Sequence, residues 1–143
     1  MIRQAAKIIK QAKHVTAFTG AGISVESGIP PFRGKDGLWS KYNPSFLEIS
    51  NFYQNPHKSW KLIREIFYNF IVKAKPNPAH FALAEMEKAG YLDAIITHNI
   101  DNLHYEAGNR EIYEFHGNSR NLICIDCERK YRAKEIDFEN LPP

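Results

Sequence analysis

The stretch "GAGISVESGIPPFRG", Gly20 to Gly34, decides how this sequence is read. It follows "HVTAFT", His14 to Thr19, a short β-rich run that predicts a strand ending at Gly20. A glycine turn after such a run belongs to a strand-to-helix turn, where backbone N–H groups face an anion and the chain can approach a diphosphate closely. The common dinucleotide fingerprint needs a third glycine where Val25 stands, and no clear acidic residue follows roughly 20 positions on. A P-loop needs Gly-Lys-Ser/Thr, which is absent. Locally, a ligand-free tight turn and a phosphate turn stay equally open.

Outward from that turn, strands and helices alternate. Ile2, Ala5, Ile9 and Ala12 recur at helical spacing, so residues 2–13 read as an amphipathic helix. Ile29 to Tyr42, with Pro30, Pro31, Gly34 and Gly37, reads as a long loop, a length usually tied to function or disorder. Asn55-Pro56 starts a long helix with Trp60, Ile63, Phe67, Phe70 and Ala74 on one face. Asn77-Pro78 starts another, stopped by Gly90. "AIIT" (94–97) reads as a buried strand, Asp101 as the cap of a short helix ending at Gly108, and "EIYEFH" (111–116) as a third strand. The pattern predicts an α/β fold with a parallel sheet and a helical insertion over about 44–89. Gly20–Ser24, Thr97–Asp101 and His116-Gly117 then share one address, the C-terminal ends of strands, where open parallel sheets bind ligands.

Composition narrows the function classes. A chain of 143 residues, 43% hydrophobic and 24% charged, suits one globular domain. Its 19 basic and 16 acidic side chains give +3, too weak an imbalance to imply direct nucleic-acid binding. Arg129, Lys130, Arg132 and Lys134 read as a solvated face. No apolar run approaches membrane-spanning length, since Asn69 interrupts "FYNFIV", and Arg3, Lys7 and Lys10 break any signal-peptide core. The only cysteines are Cys124 and Cys127, so no disulfide framework exists and a reducing cytoplasm is the expected setting.

Chemistry-bearing residues cluster in three places. "THNIDNLH" offers His98, Asn99, Asp101 and His104. Shared metal ligation by the histidines and Asp101 is disfavoured, because helical residues six apart diverge around the axis. For His104 the expectation is a surface position behind an Asp101 cap, whereas a buried Asn99–Asp101 pair suits an amide and a ribose. His116 is either a hydrogen-bonded structural group or a base that titrates near neutrality. "CIDC" is half of a zinc knuckle, because structural zinc needs four ligands; a redox dithiol is the rival.

Together, "GAGIS", "SGIPPFRG", "NPAH", "THNIDNLH", "EFHG" and "CIDC" resemble the sirtuins, the NAD-dependent protein deacylases of the silent information regulator family. The likeness runs from about residue 5 to the end, and "FRGKDGLW" is similar to bacterial, archaeal and broader-acyl members. It implies a partial Rossmann-like sheet, with the start of a zinc-ribbon module over about 120–143 and the C-terminal half of the family fold absent. It also implies cleavage of NAD at the nicotinamide–ribose bond, with transfer of a lysine acyl group from a protein or peptide to the ribose. On matching positions, Gly20, Ala21 and Gly22 would line the diphosphate. Ser24, Ile29, Ile100 and Asp101 would form the nicotinamide side, with Phe32 as a cover and Arg33 on the cofactor. Asn99 would hold ribose and a water, His98 would lie near the ribose, and His116 would be the general base. Cys124 and Cys127 would supply half of a structural zinc site.

Four positions depart from the family pattern: Pro31 replaces an acidic residue or threonine, His98 a glutamine, and Ile63 and Ile66 fall at about the places of the tyrosine and arginine that select acidic acyl groups. The family core is also longer than this chain. That implies exposed apolar sheet surface, an unpaired edge, and either a larger parent protein or a partner that completes the fold. The rival function is an incompetent NAD-binding or interaction module. NAD hydrolysis by water and a zinc hydrolase rank lower.

Overall fold

The structure is a computed structural model that describes residues 1–35, 37–137 and 140. In chain order its main elements are α1 (Ile2–Gln11), β1 (Thr16–Thr19), α2 (Ile49–Gln54), α3 (Pro56–Ile63), α4 (Asn69–Ile71), α5 (Pro78–Lys88), β2 (Ala94–Thr97), α6 (Leu103–Ala107), β3 (Ile112–Glu114), β4 (Asn121–Ile123) and β5 (Lys130–Arg132). The chain divides into two compact units, Met1–Ser27 with Lys75–Asn118, and Gly28–Ala74 with the chain from Ser119.

The first unit is built on a parallel sheet of order β1-β2-β3. Phe18 pairs with Ile96, and Ile96 with Tyr113, so one face carries these residues. Thr19, Thr97 and Glu114 line up on the opposite face. The two faces differ sharply in exposure. Ile95 and Thr97 are buried, while Phe18 and Tyr113 stand 71% and 61% exposed. The exposed apolar sheet surface anticipated from the sequence is present. α1 forms where its periodicity placed it, but none of its residues is buried.

Asn77 does double duty at the start of α5. Its Oδ1 accepts from Ala79 N, and its backbone N–H donates to His80 Nδ1, closing a capping box behind Pro78. Its Nδ2 donates to the Ile23 carbonyl at 2.7 Å and to Ser27 Oγ at 3.0 Å, tying the helix start to the 3-10 run Ala21–Ser27. At the other end of α5, Glu87 accepts from the backbone N–H groups of Arg110 and Glu111 and from the Asn109 side chain. Burial pushes the Glu87 carboxyl up, yet these donors and the Arg110 charge outweigh it and hold it below its usual range.

The short helix after β2 starts one residue later than expected. Asn102, left-handed at φ 69°, is the residue before α6, and Asp101 Oδ1 still accepts from Leu103 N at 3.0 Å. Gly108, at φ 116°, ends it.

In the second unit, Leu38, Phe46 and Ile66 form a buried core against which Phe32, Trp39, Tyr42, Leu62, Ile63 and Phe67 pack. The long helix expected from Pro56 is broken by a π-helical segment, Arg64–Tyr68, before α4. Apolar periodicity cannot reveal such a segment, because one extra residue per turn keeps the stripe while rotating it. Pro31 lacks an N–H, but its carbonyl accepts from Leu38 N at 2.9 Å, so the 29–42 loop is hydrogen-bonded as well as packed. β4 and β5 form an antiparallel pair, and every residue of β5, Lys130–Arg132, is exposed, as expected for a solvated basic face.

Candidate functional site

Because β1, β2 and β3 run parallel, the segments that leave their C-terminal ends converge at one edge of the sheet. Ser24 comes from the turn after β1; Asn99 and Asp101 come from the turn after β2. Ser24 Oγ donates to Asp101 Oδ2 at 2.6 Å, and Asn99 Nδ2 donates to Ser24 Oγ at 3.1 Å and to the Gly20 carbonyl at 3.2 Å. The Asn99 backbone N–H donates to Thr97 Oγ1. All three side chains are buried. A buried polar group needs partners to offset its desolvation, and this triangle supplies them.

The glycines beside the triangle leave room. A Cβ placed on Gly20 or Gly22 meets nothing within 4 Å, and neither residue has a left-handed φ. The backbone conformation therefore does not require glycine at either position. What glycine supplies is open space against the main chain, the feature a diphosphate needs. Ala21 and Ile100 beside them are half-buried.

His104 is not a surface residue, contrary to expectation. It is 3% exposed, with Nε2 2.9 Å from Thr19 Oγ1, which donates in turn to Thr97 Oγ1 at 2.9 Å. The other ring nitrogen, the buried Nδ1, has no partner. Burial lowers the His104 pKa to about 4, neighbouring His80 pushes the same way, and Asp101 opposes both. His80 is fully buried, its ring centroid 4.9 Å from that of His104, and burial lowers its pKa too. The sequence reading gave His80 no role. "NPAH" marks it only as the third helical residue, and no local pattern announces burial.

His98 and His116 form the exposed flank of the edge. His98 Nδ1 lies 3.1 Å from His116 Nε2. The His98 ring stacks on Phe115, with centroids 5.0 Å apart and planes at 17°, and meets Phe18 edge-on at 5.2 Å. The three histidine and aspartate positions weighed as a metal set do not converge, and no group of three or more candidate ligands occurs among the described residues.

Ile29, Phe32 and Arg33 belong to the second unit. Phe32 stacks on Trp39 at 5.1 Å, and Arg33 is exposed. Ile66, one of the two isoleucines at the acyl-selecting positions, is 2% exposed and part of that unit's core. Cys124 and Cys127 are free thiols in the β4–β5 turn. The Cys127 and Asp126 amides and the Cys127 thiol point at the Cys124 sulfur and hold its thiol below the usual range. A separate groove of about 510 Å³ between α5 and α6, lined by Phe81, Ala84, Glu87, Lys88, Gly108 and Arg110 among others, contains none of the candidate residues.

Comparison with known proteins bears on this edge directly. A sequence model of the Sir2 family matches residues 20–142. The chain is 50% identical over 136 residues to an NAD-dependent protein deacylase of Archaeoglobus fulgidus, covering 94% of this chain and 53% of that protein. It is 50% identical over 149 residues to an NAD-dependent protein deacylase of Pyrococcus abyssi, covering 99% and 59%. Among solved structures, a mutant of a Sir2 homologue in complex with ADP-ribose aligns with a TM-score of 0.90 at 40% identity, over all of this chain and 57% of that one. A Sir2 complex with a deacetylated p53 peptide and 3'-O-acetyl-ADP-ribose aligns with a TM-score of 0.89 at 37% identity, over 93% and 54%. The chain thus spans about half the length of the relatives it matches. Its parallel sheet, its turn after β1 and its polar sheet edge all lie within these matches, and the chain belongs to the Sir2 family.

Proposed function

We propose that this chain is the N-terminal part of the catalytic domain of an NAD-dependent protein-lysine deacylase. The observation that carries the reading is the buried Ser24–Asp101–Asn99 triangle beside open glycine backbone at the C-terminal edge of a parallel sheet. Relatives of this chain are named as deacylases, and structures like it hold NAD+ or ADP-ribose and acetylated peptide.

NAD, when bound, supplies a glycosidic bond whose cleavage frees nicotinamide and leaves the ribose as acyl acceptor. The chain's own residues bind and orient it. Gly20, Ala21 and Gly22 give the diphosphate close access to main-chain N–H groups. Asp101 is fixed by Ser24 and Leu103 N, so its carboxylate cannot swing away from the nicotinamide side. Asn99 donates both its bonds through Nδ2, which turns Oδ1 into an acceptor for a ribose hydroxyl or an ordered water. Ile100 excludes water, His98 lies at the ribose, and His116 accepts a ribose proton.

Cys124 and Cys127 fit half of a structural zinc site: two thiols two residues apart, one with backbone amides aimed at its sulfur. The other two ligands, and the cover for the exposed Phe18, Tyr113 and Phe115 face, we assign to the remainder of the protein or to a partner. The setting we infer is a reducing cytoplasm, which keeps the two thiols available.

The test incubates the intact protein with NAD and an acetyl-lysine peptide. Nicotinamide and acyl-ADP-ribose should appear, and His116→Ala should abolish both. Turnover that persists in His116→Ala removes the base assignment. NAD binding with no nicotinamide release marks a binding module instead, and release without peptide marks NAD hydrolysis.

A further inference from the structure

We propose that His98 is a positioning residue for His116: the bond between His98 Nδ1 and His116 Nε2 keeps the proton of His116 on Nε2 and leaves its Nδ1 as the atom that accepts a proton. This rests on the reading of His116 as the base.

The pair is produced by the sheet. Thr97 pairs with Glu114, so the next residues, His98 and Phe115, leave adjacent parallel strands side by side. His98 N donates to the Thr19 carbonyl, and Phe115 N to the Thr97 carbonyl, which extends the ladder one step and fixes both backbones. The Gly117 N–H donates to the Glu114 carbonyl at 3.0 Å, closing a turn over residues 114–117 that holds His116 beside the strand end. The His98 ring is then held by Phe115 on its face and Phe18 at its edge. An aromatic slot of this kind restricts the torsion that would otherwise let an exposed imidazole turn away.

Two imidazoles 3.1 Å apart share one proton: one nitrogen donates and the other accepts. If His98 were the donor, it would occupy the Nε2 lone pair of His116 and place the His116 proton on Nδ1, leaving no free lone pair to take up a proton. With His116 as donor, Nδ1 is free, and protonation there gives an imidazolium whose Nε2–H is already held by a neutral acceptor. The partner that orients a catalytic histidine elsewhere through a carboxylate is here a second, neutral ring.

The experiment uses intact protein labelled with 15N at histidine, with the His116 signals assigned by comparison with His116→Ala. Long-range proton–nitrogen spectra of the unliganded protein should show a pyrrole-type Nε2 and a pyridine-type Nδ1 for His116. His98→Phe keeps the slot between Phe18 and Phe115 but removes the acceptor. It should mix the His116 tautomers and lower kcat by about tenfold or more. His98→Gln returns an acceptor oxygen and should restore the Nε2–H signature and part of kcat. A pyrrole-type Nδ1 in the unmodified protein overturns the proposal. So does a His98→Phe protein in which both the His116 signature and kcat are unchanged. Loss of the base reading would show separately, as turnover that persists in His116→Ala while the unmodified protein still shows the pyrrole-type Nε2 of His116.

Discussion

Ser24 donates its hydroxyl proton to Asp101 Oδ2 across 2.6 Å, and both residues are buried. The bond joins the turn after β1 to the turn after β2, so it holds together the two loops that carry most of the candidate cofactor contacts. Removing the hydroxyl leaves a buried carboxylate oxygen and the Asn99 amide short of a partner. Ser24→Ala should therefore destabilise the protein by about 1–3 kcal/mol. Urea unfolding monitored by circular dichroism measures this. A midpoint that does not move would mean that water replaces the hydroxyl and that the triangle is less closed than its geometry indicates.

The buried histidine behind that triangle sets a pH dependence. His104 binds its proton at about 4 in the folded chain and near 6.5 when unfolded. Between those values the unfolded state carries more protons, so stability rises with pH through this window. The contribution is fully present above the unfolded value and is lost as pH falls toward the folded one. Its size is on the order of 2–3 kcal/mol. Burial lowers His80 in the same direction, while Asp101 opposes both. Urea midpoints measured from pH 4 to 7 should climb, and His104→Gln should flatten the climb. An equally steep limb in the variant would place its origin elsewhere.

Open space around Gly22 separates folding from binding. Alanine there meets no neighbour and needs no unusual φ, so Gly22→Ala should change stability by no more than about 1 kcal/mol. If the space is where a diphosphate meets the backbone, the methyl group should weaken NAD binding by about tenfold or more, about 1.4 kcal/mol. Calorimetric titration of the intact variant with NAD reads this out. Unaltered affinity would show that the cradle lies elsewhere in the turn.

Much of this arrangement was legible in the sequence. The apolar runs at His14–Thr19 and Ala94–Thr97, each closed by turn residues, marked two strands, and the helices between strands required a parallel sheet. A parallel sheet places all its strand ends on one edge, so Ser24, Asn99, Asp101 and His116 could be assigned to one place without coordinates. Asn77-Pro78 announced its helix because capping is a matter of a few neighbouring residues.

What only the tertiary structure decided depends on contacts distant in sequence. His104 looked like a surface residue because its own helix is short and polar. It is buried because β1 supplies Thr19 as a partner and α5 lays His80 against it. The π segment at Arg64–Tyr68 leaves the apolar stripe intact and is invisible to periodicity. The pairing of His98 with His116 follows from strand register and the turn closed between Glu114 and Gly117, neither of which a linear pattern encodes. Local propensity and period thus determined which elements form and at which edge the chemistry gathers. Register and burial, set by the whole sheet at once, decided which side chains meet there.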